Sequence, residues 1–91
     1  MKAAETCRKA ADLVSGARHD QHGDLRGNHQ NISALWSAFI GVEISPMDVA
    51  LMMTLLKIAR TQSGTHTGDD CVEGAAYMGI AGEIAGDDSA G

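Results

Sequence analysis

The chain has 91 residues, with 12 Asp and Glu against 7 Lys and Arg, for a formal net charge of −5. That is one domain, near the lower limit at which a single core sustains itself, and its acidic balance argues against non-specific nucleic-acid binding, which needs a basic face. No apolar run reaches the ~20 residues of a membrane span.

Aromatics are scarce: Trp36, Phe39 and Tyr77 are the whole set. Apolar mass comes from Leu, Ile, Val, Met and many Ala, and small side chains bury little area each. A monomer built this way is marginal, so self-association into a homo-oligomer is expected. The N-terminal stretch carries acidic residues and no apolar signal core, which places the chain in the cytosol by default. Cys7 and Cys71 show no CxxC or CxxH spacing and read as two buried, reduced thiols.

The pattern predicts four helices in one domain over residues 1–85, with a flexible tail over 86–91. Ala4, Cys7, Ala11 and Val14 recur at helical spacing over residues 2–15, and Gly16 is a plausible stop. A polar stretch, GARHDQHGDLRGNHQN, follows over residues 16–31. It holds an isolated Leu25, two arginines and three of the four histidines. A loop this long in so short a domain is uncommon unless it is functional or disordered, and its His, Arg and Asn content points to a ligand loop. Asn28 or Asn31 then caps a second helix ending near Ile40. Its stripe is Ile32, Leu35, Trp36, Phe39 and Ile40, and Gly41 stops it.

Residues 46–60 carry the strongest helical signal. Ser45 is the cap, Pro46 the first helical residue, and Asp48 completes a capping box. Val49, Met52, Met53, Leu55, Leu56 and Ala59 make this helix apolar around much of its circumference, which predicts burial on several sides. SGTHTG over residues 63–68 reads as a flexible loop. Asp69 or Asp70 caps a fourth helix ending near Ala85. Gly74, Gly79 and Gly82 each lower its intrinsic helicity by roughly 1 kcal/mol against Ala, a cost tolerated where another backbone comes close. The segment AAYMGIAG is therefore read as a close helix–helix contact, within the domain or between subunits.

Three groups of residues carry candidate chemistry. Asp70 and Glu73 lie one helical turn apart, so both carboxylates can reach one hard cation, with Asp48 as a further acidic group. The alternative reading is that Asp69 or Asp70 serves only as a helix cap. The second group, Arg18, Arg26, Lys57 and Arg60, is cationic, and an arginine fork suits a phosphate. The bland alternative for Lys57 and Arg60 is a favourable position at a helix C-terminus. The histidines His19, His22, His29 and His66 show no zinc spacing, so hydrogen bonding to a ligand is a better reading than metal binding, and simple exposure is better still. Trp36 and Tyr77 offer ring faces to a base, although Trp36 reads first as core. There is no P-loop, nucleophile elbow or dinucleotide fingerprint.

The runs NHQNISALWSAFIG, ISPMDVALMMTLLKIAR and DDCVEGAAYMGIAGEIA resemble a family of small phage-encoded helical proteins of unknown function. Members carry a W-S-A-[YF]-[LI]-G stretch, a D-V-A-L-M-M-x-L-L-K-[IL]-A-R helix, and a last helix with an acidic start and an A-x-Y. The resemblance spans residues 11–85. In arrangement the family is similar to the MazG-type all-alpha nucleotide pyrophosphohydrolases, which implies an all-α, four-helix bundle-like domain in a homo-oligomer in the host cytoplasm. Those enzymes bind magnesium through an E-x-x-E pair and an E-x-x-D pair. Asp70-x-x-Glu73 can stand for the second pair with residue types reversed. Asp48 has no acidic partner three residues on, so the first pair is missing. Two-metal chemistry needs a fuller set.

The expectation is therefore a phage protein that sequesters a nucleotide-derived immune signal, a cyclic dinucleotide or an ADP-ribose derivative, without cleaving it. It needs no cofactor and involves neither nucleic acid nor membrane. Arg18, His22, Asn28, Trp36, Lys57, Arg60, Asp69 and Tyr77 supply the residue types for ligand binding. The alternative is a magnesium-dependent nucleoside triphosphate pyrophosphohydrolase using Asp48, Asp70 and Glu73, completed across a subunit interface.

Overall fold

The computed structural model describes residues 1–15, 24–64 and 68–90. Among them are four helices and no strand: α1 (Ala3–Val14), α2 (Leu25–Ile40), α3 (Pro46–Thr61) and α4 (Gly68–Ala90). The long α4 is the spine. Both α1 and α3 pack on it, and α2 packs on α3.

Helix α3 begins as its sequence dictates. Asp48 N–H donates to Ser45 Oγ at 3.0 Å, and Ser45 N–H donates back to Asp48 Oδ2 at 3.1 Å. Pro46 follows the cap, where its missing N–H costs nothing. A short corner leads into α3 from α2. Gly41 closes α2 at φ 83°, a left-handed conformation that suits glycine. Ser37 Oγ then accepts from Ile44 N–H at 2.8 Å and donates to Ile44 C=O at 3.2 Å, so one hydroxyl pins the turn.

The second helix starts earlier than its apolar pattern indicates. Its cap is Asp24, whose carboxylate accepts from Gly27 N–H at 3.0 Å. Asn28 and Asn31, read as caps, lie inside the helix. The isolated Leu25 explains the difference, because it packs against the buried cluster of Ala50, Ile80, Ala81 and Ile84. One well-placed leucine anchors a turn that has no periodicity of its own. At the other end, α4 runs past Ala85 to Ala90, so its helical backbone extends through most of the stretch read as tail.

Two buried clusters form the core. Ala50, Ile80, Ala81 and Ile84 join α3 to α4, while Ala10, Val72 and Ala76 join α1 to α4. Val14 packs against both. Alanines let these helices approach closely but remove little area from water. Val49 is the only large side chain that is fully buried among the described residues.

Three expectations change here. Cys7 and Cys71 are free but exposed, not buried. Helix α3 is buried on one side only: Val49, Ala50 and Thr54 are covered, whereas Met52, Leu55, Leu56 and Ile58 are exposed. In α4 the close approach falls at Gly74, where an added Cβ would lie 3.5 Å from Lys57 Cβ. Gly79 and Gly82 face open space instead. The segment AAYMGIAG meets its own domain through Ala76, Ile80 and Ala81.

The cap gives a direct test. Ser45→Ala removes the acceptor for Asp48 N–H and is expected to destabilise the chain by about 1 kcal/mol. Thermal unfolding should then fall by roughly 4–8 °C. An unchanged midpoint would mean that the capping box contributes nothing to the start of α3.

Candidate functional site

The polar features of the two central helices meet in one place. Near its C-terminal end α3 presents Lys57 and Arg60, three residues apart. Near its start α4 presents Asp70 and Glu73, also three apart. The helices join them as a two-rung ladder. Lys57 Nζ lies 2.6 Å from Glu73 Oε2, and Arg60 Nε donates to Asp70 Oδ1 at 2.9 Å. The pairing is antiparallel, since the first cation meets the second anion. Gly74 lies against the Lys57 stem, where an added Cβ would make ordinary van der Waals contact.

The rungs differ in environment. The Asp70 side chain is 6% exposed and its Arg60 partner 64%. Lys57 and Glu73 are 17% and 38% exposed. A buried carboxylate requires a partner, so Arg60 is the condition on which Asp70 can occupy the interior. In the other pair the carboxylate is the more exposed member and the cation the more buried one, so loss of Glu73 strands only the partner of a less buried carboxylate and costs less.

This geometry reassigns several residues singled out in the sequence. The two candidate metal carboxylates and the two best candidate phosphate cations hold each other. Asp48 serves the capping box. Among the described residues, no group of three or more His, Cys, Asp and Glu is placed to hold a metal ion. Tyr77 packs against the Ala50, Ile80, Ala81 and Ile84 cluster. Trp36 is half-buried on α2. Asn28 lies in the first turns of α2, and Asp69 is exposed at the start of α4. Asp69 borders a cleft between α1 and α4 with Lys9, Asp12 and Glu73. Arg18, His19, His22 and His66 lie outside the described residues.

Beside the ladder runs a shallow groove of about 290 Å³ between α3 and α4, lined by Thr54, Lys57, Ile58, Asp70, Cys71 and Met78 among others. Its rim is apolar on the outer side, where Ile58 and Met78 are half exposed.

Sequence reasoning took His29 first as exposed and left Thr54 unremarked, and both are buried. His29 is 5% exposed; its Nδ1 lies 2.9 Å from Leu25 C=O, and its Nε2 has no partner among the described residues. Thr54 is buried and donates its hydroxyl to Ala50 C=O at 2.9 Å. The ladder itself left a legible signal, namely two opposite-charge pairs of equal spacing on consecutive helices. Larger still is the apolar surface. Leu35 is 70% exposed, Phe39 92%, Val42 64% and Leu55 63%.

The structure thus defines an all-helical module with an internally neutralised ion-pair ladder and an open aliphatic face. The chain belongs to the family described as "Domain of unknown function (DUF6378)", which matches residues 5–85. It is 43% identical over 72 residues to the Gene 55 protein of Mycobacterium phage L5, covering 78% of this chain and 46% of that protein. It is 37% identical over 71 residues to the Gene 55 protein of Mycobacterium phage D29, covering 78% and 47%. The chain spans about half the length of these curated relatives. No solved structure matches it. The reading of a small helical family with phage members and no assigned function is met. No helix among the described residues is long and apolar enough to cross a membrane.

The ladder makes an ordered prediction for urea unfolding. Arg60→Ala leaves the Asp70 carboxylate buried without its cation and is expected to lower stability by about 1–3 kcal/mol. Glu73→Ala, which removes the more exposed of the two carboxylates, should cost no more than about 1 kcal/mol. The reverse order would show that the Asp70 rung does not hold α3 on α4.

Proposed function

We propose that this chain is a non-catalytic association module, which works by docking the outer face of α2 and α3 onto other helices. The observation that carries this reading is the surface itself. Leu35, Phe39, Ile40 and Val42 in and just after α2 are at least half exposed, and so are Leu55 and Ile58 of α3; Leu56 is 47% exposed and Met52 37%. On each helix exposed apolar side chains are neighbours at helical spacing, Leu35 and Phe39 on α2 and Met52, Leu55 and Leu56 on α3, and contiguous exposed apolar surface marks an interaction site.

The ladder supports the same reading from the other side. A hydrolase needs carboxylates free to hold magnesium, as the MazG-type likeness would require. Here Asp70 and Glu73 are engaged by cations and Asp48 by a helix start. Among the described residues, the acidic set does not fit a magnesium site.

Nucleotide sequestration is the second reading, and Arg60 favours it. Its Nε is committed to Asp70, a residue that lines the groove, yet 64% of the Arg60 side chain stays exposed. A guanidinium held in place by a carboxylate is pre-oriented to receive a phosphate on its remaining N–H groups. Under this reading cyclic dinucleotides or ADP-ribose derivatives raise the melting temperature without magnesium, and the gain disappears in Arg60→Ala.

The association reading is tested by replacing Phe39 with benzoyl-phenylalanine and irradiating the protein in the cells that express it. Adducts are expected at position 39 and not at the exposed, charged position of Glu83. Equal labelling at both, or none at position 39, would contradict the reading.

A further inference from the structure

We infer that the outer face of α2 takes a basic amphipathic helix of another protein, its aliphatic stripe flanked by lysine or arginine, a choice of partner that rests on the association reading above.

Spacing gives the shape of the occupant. Asn31, Ala34, Leu35, Ala38 and Phe39 are all exposed. They recur at intervals of three and four residues, so they share one arc of α2. Leu35 and Phe39 stand out from it one turn apart, 70% and 92% exposed. Ala34 and Ala38 run beside them and leave a shallow trough, into which the ridge of a second helix fits. His29 and Ser33 face the other way and are buried. The arc is therefore the side of α2 that its own domain leaves open.

Charge gives the composition of the occupant. Residues 27–42 contain no Asp, Glu, Lys or Arg, so no such charge interrupts the arc. Both of its ends are acidic. Asp24 caps α2 at the start and Glu43 follows the closing Gly41 at the end, and both are exposed. The carbonyl end of a helix adds partial negative charge of its own, and the last turn of α2 holds no basic residue to offset it. Arg26 is the only Lys or Arg in α2, and its position nine residues before Leu35 sets it on the opposite side of the helix. Lys57 and Arg60 lie near the far end of α3, engaged by Glu73 and Asp70. An apolar arc with acidic ends is complementary to an apolar helix with basic edges. A partner seated this way lays aliphatic side chains on Leu35 and Phe39. It brings lysine or arginine to Glu43 and to the last carbonyls of α2. The same charge counts against an anionic membrane surface, which attracts basic segments.

Fluorescence titration of the purified full chain tests this, with Trp36 as the reporter. It is the only tryptophan and stands between Leu35 and Phe39 in sequence. The probes are two tryptophan-free helical peptides with the same leucine stripe, flanked by lysine in one and by glutamate in the other. The lysine peptide is expected to bind about tenfold tighter at low salt, and the gap should close as salt rises. Glu43→Lys should narrow or reverse the preference, and Phe39→Ser should weaken both peptides. Both positions are exposed, so circular dichroism should show unchanged helix content. Equal binding of the two peptides, or a preference that Glu43→Lys leaves unchanged, would overturn the inference. Binding to phosphatidylcholine vesicles in place of the lysine peptide would overturn it as well. So would Trp36 emission that shifts with protein concentration alone, the sign of a second copy on this face. Adducts at position 39 together with equal peptide binding would remove the basic partner and leave the association reading standing. No adducts and no peptide binding would remove both.

Discussion

The seating of α3 on α4 is the contact on which the rest of the molecule depends. Helix α4 meets the α2–α3 corner along α3, with Leu25 of α2 packed on the same cluster. The contact turns on one small residue, Ala50 against Ile80, Ala81 and Ile84, so the two backbones come close and little apolar area is consumed. Close approach also brings the ladder within reach, Lys57 to Glu73 and Arg60 to Asp70.

The same economy of side-chain volume leaves the other half of α3 uncovered. A helix that is apolar on every side belongs in an interior, and this one has interior on one side only. Burying each exposed Leu, Ile or Phe is worth about 1.5–3 kcal/mol, which is large beside the total stability of about 5–15 kcal/mol typical of a folded domain. The open face is therefore the strongest physical tension in the structure, and an assembly that covers it removes that tension. The ion-pair ladder has the opposite character. It gathers the obvious chemical groups of the central helices and neutralises them, which directs attention from chemistry to packing.

Much of this was legible in the residues. Ser45, Pro46 and Asp48 announce the start of α3 because capping is a local interaction. The apolar circumference of α3 was read as burial on several sides, whereas one side is covered within the chain; few aromatics and many alanines indicated a thin core. The start of α2 was not legible. Asp24 and Leu25 act through a single hydrogen bond and a single long-range contact, and periodicity detects neither. The exposure of Cys7 and Cys71 was misjudged for a related reason, because average burial says nothing about which face of α1 or α4 turns outward. The candidate site was half legible. Lys57, Arg60, Asp70 and Glu73 stood out by charge and spacing, but without the antiparallel register of α3 and α4 their mutual pairing could not be separated from two independent sites.

The central claim is that one face of α3 is interior within the chain and the other becomes interior only on association. Methyl NMR with a soluble paramagnetic probe reads both faces at once. The account requires the Ile80 and Ile84 methyls to stay protected in the free chain and in its complex with the protein captured at position 39. Those of Leu55 and Leu56 should be bleached in the free chain and protected in that complex. Leu55 and Leu56 methyls that remain bleached in the complex, with Ile80 still protected, would contradict it.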